Sequence, residues 1–195
     1  MTSLALRAAL AVALALGSAG AATIGYAQAL PATAAIGPAV GTRIATGAML
    51  TDSNGKKTTL AAVAHGKPMM VILFRSAKWC PYCQGQLKSL GPVAAAAKAK
   101  GVGFIAISYD SPADLAAFAA KQNLSFPLYS DTGSKLIDAL KLRDPRYPAD
   151  SFAYGVPYPT TLLLDAHGTV KGKTIETDYK IRPTNADLIA LLAKV

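Results

Sequence analysis

Cys80 and Cys83 are the two cysteines of this 195-residue chain, three positions apart in the run Arg75-Ser76-Ala77-Lys78-Trp79-Cys80-Pro81-Tyr82-Cys83-Gln84. Thiols at that spacing suit exchange chemistry: one sulfur attacks a partner, and the other, one helical turn on, can reach the bond just formed. Cys80 is therefore read as the nucleophile and Cys83 as the resolving thiol. Trp79 offers an apolar wall beside the nucleophile. Lys78 and Arg75 bring positive charge nearby, with the alternative for Arg75 of turning into a salt bridge away from the sulfur. Pro81 and Tyr82 lie between the two sulfurs and border the site.

The flanking sequence explains why Cys80 would ionise. The apolar run Met69-Met70-Val71-Ile72-Leu73-Phe74 predicts a buried strand, and the residues from Pro81 onward predict a helix, so Cys80 falls at the junction. Pro81 takes the first helical position, where a missing N–H costs nothing. Unpaired N–H groups and the helix macrodipole favour negative charge there. An ordinary thiol with a pKa near ~8.5 is about 3% ionised at pH 7, whereas one lowered to ~7 is about half ionised.

The rest of the chain reads as scaffold. Asp52-Ser53-Asn54-Gly55-Lys56-Lys57 predicts a turn between short strands near 48–50 and 58–60, and 61–65 a helical turn. A helix over 81–100 carries Leu87, Leu90, Val93 and Ala97 on one face, with Pro92 expected to kink or interrupt it. A buried strand at 102–108 follows. Asp110-Ser111-Pro112 then caps a helix running to Gln122. Beyond it come a short strand at 126–129, a helix at 132–142, and a polar and aromatic loop at 143–155 expected to lie over the site. Strands at 160–165 and 169–175 join through the hairpin turn Ala166-His167-Gly168, and Thr184 caps a last helix at 185–194. The strand-helix-strand-helix alternation implies parallel strands with right-handed crossovers. No repeat and no nucleotide-binding loop is visible.

Composition sets the frame: hydrophobic residues are 52% and charged residues 16%, which is globular rather than disordered. Residues 1–29 read as a secretory signal peptide: Arg7 is the one charge before Arg43, 8–16 is an apolar core, and Ala27-Gln28-Ala29 is a cleavage site. The competing reading is an uncleaved anchor, which the weakly apolar Ala and Gly content disfavours. Residues 30–47 form an extended lead-in segment, and 48–195 one domain with no stable membrane span after cleavage. Export places the pair in an oxidising compartment. A disulfide closing so small a loop restrains the unfolded chain little, so a purely structural cross-link explains the pair poorly.

The formal charge of +9, or +8 without Arg7, is scattered and forms no basic run, so a nucleic-acid partner is not expected. His65 and His167 are the two histidines, neither at finger spacing from the cysteines, so no metal is expected. No other cofactor is implied.

Trp79-Cys80-Pro81-Tyr82-Cys83 after a buried strand, with Tyr158-Pro159-Thr160 before a later one, resembles the thioredoxin superfamily. Phe74-Arg75-Ser76, Gln86-Leu87, Asp144-Pro145-Arg146-Tyr147-Pro148 and Gly155-Val156-Pro157-Tyr158-Pro159-Thr160-Thr161 make the chain similar to the redoxin branch. That branch holds the alkyl hydroperoxide reductase/thiol-specific antioxidant proteins and their peroxiredoxin-like relatives. The likeness spans roughly 36–195. It implies a single-domain α/β thioredoxin-like fold, a central mixed β-sheet flanked by helices. It also implies a cis peptide before Pro159, packed across from Cys80, with the Tyr158 backbone presented to an extended partner chain. Trp79, Pro81, Tyr82, Tyr158, Pro159 and Thr160 would then form the substrate-binding wall.

Two departures from the resemblance matter. Thioredoxins carry a buried carboxylate six residues before the first cysteine to move protons for the second, and here Phe74 stands there. Peroxiredoxins carry a proline and a threonine where this chain has Leu73 and Ala77, with Ser76 one residue off the threonine's place. A peroxide site would need other anion donors, such as Arg143 or Arg146. The resulting expectation is an exported thiol-disulfide oxidoreductase acting on protein disulfides or thiols and served by an unidentified electron donor. The alternatives are a peroxidase, in which Cys80 is oxidised by peroxides to a sulfenic acid that condenses with Cys83, and a non-enzymatic binder whose disulfide is passive.

Overall fold

Alternating apolar side chains along one strand, Met69 to Phe74, organise the protein into two cores, and the sulfur pair belongs to one of them. The computed structural model describes residues 35–195. Its elements are β1 (Met49–Asp52), β2 (Lys57–Thr59), α1 (Leu60–Ala64), β3 (Met69–Leu73), α2 (Pro81–Ser89), α3 (Gly91–Ala99), β4 (Gly103–Ser108), α4 (Pro112–Gln122), β5 (Leu128–Ser130), α5 (Lys135–Ala139), β6 (Thr160–Leu164), β7 (Val170–Ile175) and α6 (Asn185–Leu191). A 3-10 turn, Leu192–Lys194, follows α6. The expected signal peptide and the start of the lead-in segment lie outside the described residues.

The strands form one seven-stranded sheet in the order β2-β1-β5-β4-β3-β6-β7. β3, β4 and β5 run parallel, and β6 pairs antiparallel to β3 on its other side, so the sheet is mixed, as the resemblance implied. Successive strand residues face opposite ways. Met70, Ile72 and Phe74 pack with Leu87, Val93, Phe104, Leu115, Leu188 and both cysteines. Met69, Val71 and Leu73 pack on the other face with Ile105, Ile107, Leu136, Ile137 and Leu162. Strand β3 is thus covered on both faces and paired along both edges, and the motif leaves its end from a fixed point.

Backbone chemistry sets the helix bounds. The helix expected over 81–100 is interrupted beside Pro92, as expected, giving two helices separated at Leu90, with Pro92 near the start of the second, where its missing N–H is not needed. The helix expected at 132–142 shrinks to α5 because Gly133, Ser134 and Lys141 take positive φ, which a right-handed helix excludes. Buried Asp131 accepts the N–H groups of Leu136 and Ile137 at its start. Residues 35–47 run beside β7: Gly41 N–H donates to Val170 O and Val170 N–H to Thr42 O, while Ile36 and Ile44 are buried. Among the described residues no helix is long and apolar enough to cross a membrane.

Leu87 joins the motif helix α2 to the first core and is fully buried. Leu87→Ala is expected to lower the unfolding free energy by about 2–5 kcal/mol, measured by denaturant titration of the oxidised protein. A loss below about 0.5 kcal/mol would mean that α2 is not held by this packing.

Candidate active site

The turn between β3 and α2 is wired to a single buried carboxylate. Asp110, two residues after β4, accepts from Ser76 Oγ at 2.7 Å, Ala77 N–H at 2.7 Å and Ser108 Oγ at 2.9 Å. Ser76 Oγ in turn accepts the N–H groups of Lys78 and Trp79. Gln84 Nε2 donates back to Ala77 O, tying the first turns of α2 to the same loop. Burial raises the Asp110 carboxyl above its ordinary value, and the hydrogen bonds from Ser76, Ala77 and Ser108 pull the other way.

This turn delivers Cys80 as the N-cap of α2, its Sγ accepting the N–H of Cys83 at 3.2 Å, with Pro81 at the first helical position. Cys80 and Cys83 are joined as a disulfide with a Cα–Cα separation of 5.3 Å. Their residues are only 1% and 0% exposed, so a reacting partner needs the surrounding side chains to move aside. Those side chains are aromatic. Trp79 Nε1 donates to Tyr109 Oη, which donates to Phe152 O, and the Phe152 ring meets Trp79 edge-on at 5.1 Å. The loop at 143–155 therefore does lie beside the motif. Tyr82, 41% exposed, meets Tyr179 edge-on at 5.7 Å.

The basic residues divide in two groups. Arg75 takes the second of its two expected options: it is buried and pairs with fully buried Asp144 at 3.2 Å, its guanidinium lying over Tyr147. Lys78 reaches Asp114 at the start of α4. The two arginines expected as anion donors are engaged elsewhere, Arg143 in a two-point pair with Asp138 and Arg146 in one with Asp144.

Arg182, which sequence reasoning did not single out, is the cation at the sulfurs. Its Nη2 lies 3.1 Å from Cys83 Sγ and 4.0 Å from Cys80 Sγ, reaching in from the segment between β7 and α6. Nη1 of the same residue donates to Tyr179 O at 2.6 Å. Burial first, and the charge of Arg75 second, bring the Arg182 pKa down to about 10, with Glu176 and Asp178 opposing. It stays protonated at neutral pH. The contact spans about a hundred positions of sequence and follows no motif, so no local signal could have disclosed it.

The wall implied at 158–160 differs from expectation. The structure has no cis peptide among the described residues, so the bond before Pro159 is trans. Its two sides are anchored in that form: Tyr158 N–H donates to Leu142 O, and Pro159 O accepts from Glu176 N–H. Tyr158 O accepts the Thr160 hydroxyl, and all three residues are buried. The Tyr158 N–H is thus already used inside the protein. Trp79, Pro81 and Tyr82 flank the two cysteines along the chain, while Thr160 lies in register with Leu73 at the end of β3. No group of three or more His, Cys, Asp or Glu side chains that could hold a metal is present among the described residues.

A mixed sheet between helical layers, with a Cys-x-x-Cys disulfide where the central strand meets a helix, defines a thioredoxin-like α/β protein. The chain belongs to the AhpC/TSA family, whose pattern it matches over residues 41–173. It is 29% identical over 93 residues to the thiol-disulfide oxidoreductase ResA of Halalkalibacterium halodurans, a match covering 47% of this chain and 46% of that protein. The chain thus spans about half the length of that curated relative. Among solved structures, the peroxidoxin BcpB of Mycobacterium tuberculosis superposes with a TM-score of 0.67 at 19% identity, over 82% of this chain and 98% of that one. A peroxiredoxin-like protein from Aquifex aeolicus gives 0.68 at 15% identity, over 82% and 90%. Likeness at these identities concerns the fold.

Because Asp110 titrates above an ordinary aspartate, the folded state holds its proton more tightly than the unfolded chain. Its contribution to stability is therefore complete in acid, below an unfolded value near ~4, and falls as pH rises through the raised folded value. Asp110→Asn is expected to cost about 1–3 kcal/mol, with the deficit largest in acid and narrowing toward neutral pH. Denaturant titrations at the two pH extremes measure this, and a deficit that widens with pH would reverse the assignment.

Proposed function

We propose that this protein is an exported thiol-disulfide oxidoreductase that works as a reductant through Cys80 and Cys83. In the reduced form, the Cys80 thiolate attacks a partner's disulfide, expelling one partner thiolate and leaving a mixed disulfide. Cys83 then attacks Cys80 Sγ, the second partner thiolate leaves, and the Cys80–Cys83 disulfide remains. Two electrons pass to the partner, and a separate thiol donor returns the protein to the dithiol. Export rests on residues 1–29 as a signal peptide cut after Ala29, with 30–47 as the lead-in segment and 48–195 as the working domain.

The observation that carries the reading is the disulfide itself, with Cys80 Sγ capping α2 and accepting the Cys83 N–H. The matched relative described as a thiol-disulfide oxidoreductase supports the same chemistry. The peroxidase alternative draws on the peroxiredoxin-like folds. It is the weaker reading, because Leu73 and Ala77 replace the peroxide-pocket residues, and Arg143 and Arg146 are held by Asp138 and Asp144. Trp79, Pro81 and Tyr82 are the residues proposed to meet the partner chain. Tyr158, Pro159 and Thr160, which the resemblance adds to that wall, are buried, with Tyr158 in the core opposite the cysteines.

Pre-reduced protein mixed separately with a protein disulfide such as insulin and with hydrogen peroxide tests this by rate. The disulfide reaction is expected to be the faster, Cys80→Ser to lose at least about 100-fold, and Cys83→Ser to accumulate a mixed disulfide visible by mass spectrometry. A faster peroxide reaction leaving sulfenic acid on Cys80 would replace the proposal with the peroxidase.

A further inference from the structure

The proposed cycle leaves its second step without an evident proton acceptor. Cys83 must lose its proton before it can attack the mixed disulfide on Cys80, because the thiolate is the nucleophile. The position six residues before Cys80 carries Phe74, fully buried and unable to take a proton. Asp110 is the buried carboxylate nearest in connectivity to the motif, and both of its oxygens are committed to Ser76, Ala77 and Ser108. No carboxylate is hydrogen-bonded to either sulfur among the described residues.

The two sulfurs also differ in what faces them. Cys80 Sγ takes its stabilisation from the start of α2, through the Cys83 N–H at 3.2 Å. Cys83 lies inside the first turn of the same helix, and its sulfur is not the one that caps it. It has instead the Arg182 Nη2 at 3.1 Å, closer by almost an ångström than that group is to Cys80. The guanidinium is held there by its own segment, Nη1 donating to Tyr179 O while Tyr179 packs on Tyr82 of α2. Its Nε is buried without a hydrogen-bond partner, so the group is placed for the sulfurs rather than for a carboxylate. The other charges around it are Arg75, which adds to the positive field, and Glu176 and Asp178, which act on Arg182 from its own segment.

We propose that Arg182 is a catalytic residue of the resolving step, holding Cys83 as a thiolate by direct contact where a thioredoxin would use a buried carboxylate. The inference rests on the oxidoreductase reading and assigns that reaction's second half. In the step, the Cys83 thiol gives its proton to solvent and the thiolate stays paired with the guanidinium. A bond forms from Cys83 Sγ to Cys80 Sγ, the bond from Cys80 Sγ to the partner sulfur breaks, and the partner leaves as a thiolate that solvent protonates. Charge and electrons balance without a further reactant. The helix terminus thus serves the first cysteine and the arginine the second.

A neutral chromogenic disulfide, dithiodipyridine, reads the two halves separately. Attack by Cys80 releases a first thiopyridone, and resolution by Cys83 releases a second. In Arg182→Met the first release is expected to stay within about twofold of the parent. The second should slow about tenfold at pH 7, its pH profile moving up by about one unit. Arg182→Lys should restore most of the second rate, because a positive charge is enough, and Arg182→Gln repeats the comparison without depending on how the methionine variant folds. Slowing confined to the first release would assign the arginine to Cys80 instead and overturn the proposal. Two releases unchanged in the variants would make it a mere cover for the disulfide. If the parent protein releases no second equivalent, the oxidoreductase reading itself fails, an outcome distinct from a failure of Arg182 alone.

Discussion

One buried carboxylate sets the geometry on which the sulfur chemistry depends. A cysteine that caps a helix is useful only if the helix starts at the right height above the strand that precedes it. Here the turn between them is short and crowded. Asp110 fixes it by taking the Ala77 amide and, through Ser76, the amides of Lys78 and Trp79. Backbone donors that would otherwise be lost in a dry interior are satisfied together, and leaving any of them bare would cost more than one ordinary hydrogen bond gains. Because Asp110 follows two residues after β4, the parallel neighbour of β3, the turn is referenced to the sheet and not merely to its own chain.

Around that fixed turn the protein gathers an unusual amount of positive charge under poor hydration. Arg182 reaches the sulfurs while Arg75 turns to Asp144, and burial together with the charge of Arg75 weakens the hold of Arg182 on its proton. The arrangement is tolerable because Asp144 is shared between Arg75 and Arg146, and because the Arg75 guanidinium lies against the Tyr147 ring. What remains uncompensated at close range is the field of Arg182, directed at the disulfide. In the oxidised state it has no full negative charge to meet; in the reduced state it does. On the proposed pairing with a Cys83 thiolate, the reduced form is favoured and the pair becomes a milder reductant than a helix terminus alone would leave it.

The scaffold was legible in the sequence because its signals are local. The apolar run at 69–74, the Ser111-Pro112 and Thr184 caps, and the turn around Gly168 each act over a few residues, and each appears where those residues dictate. The helix interrupted beside Pro92 was legible too, and the one that shrank at Gly133 differs only in extent. The candidate site was legible as far as the motif reaches, at the cysteine pair and its chain neighbours. It was not legible at Arg182, Tyr179 and Asp110, whose roles come from chain crossings that sequence spacing does not encode. The resemblance misled at Pro159, where pairing with Leu142 and Glu176 on either side holds an ordinary trans bond.

Arg182 also lies beyond residue 173, where the family match ends. The inherited core builds the strand, the turn and the helix that present two thiols, while the cation that addresses one of them comes from outside that core. Scaffold and tuning are therefore separable along the chain. Proteins sharing the core can differ in reactivity through a short stretch that the family pattern does not reach, without any change to the strand, turn and helix that present the thiols.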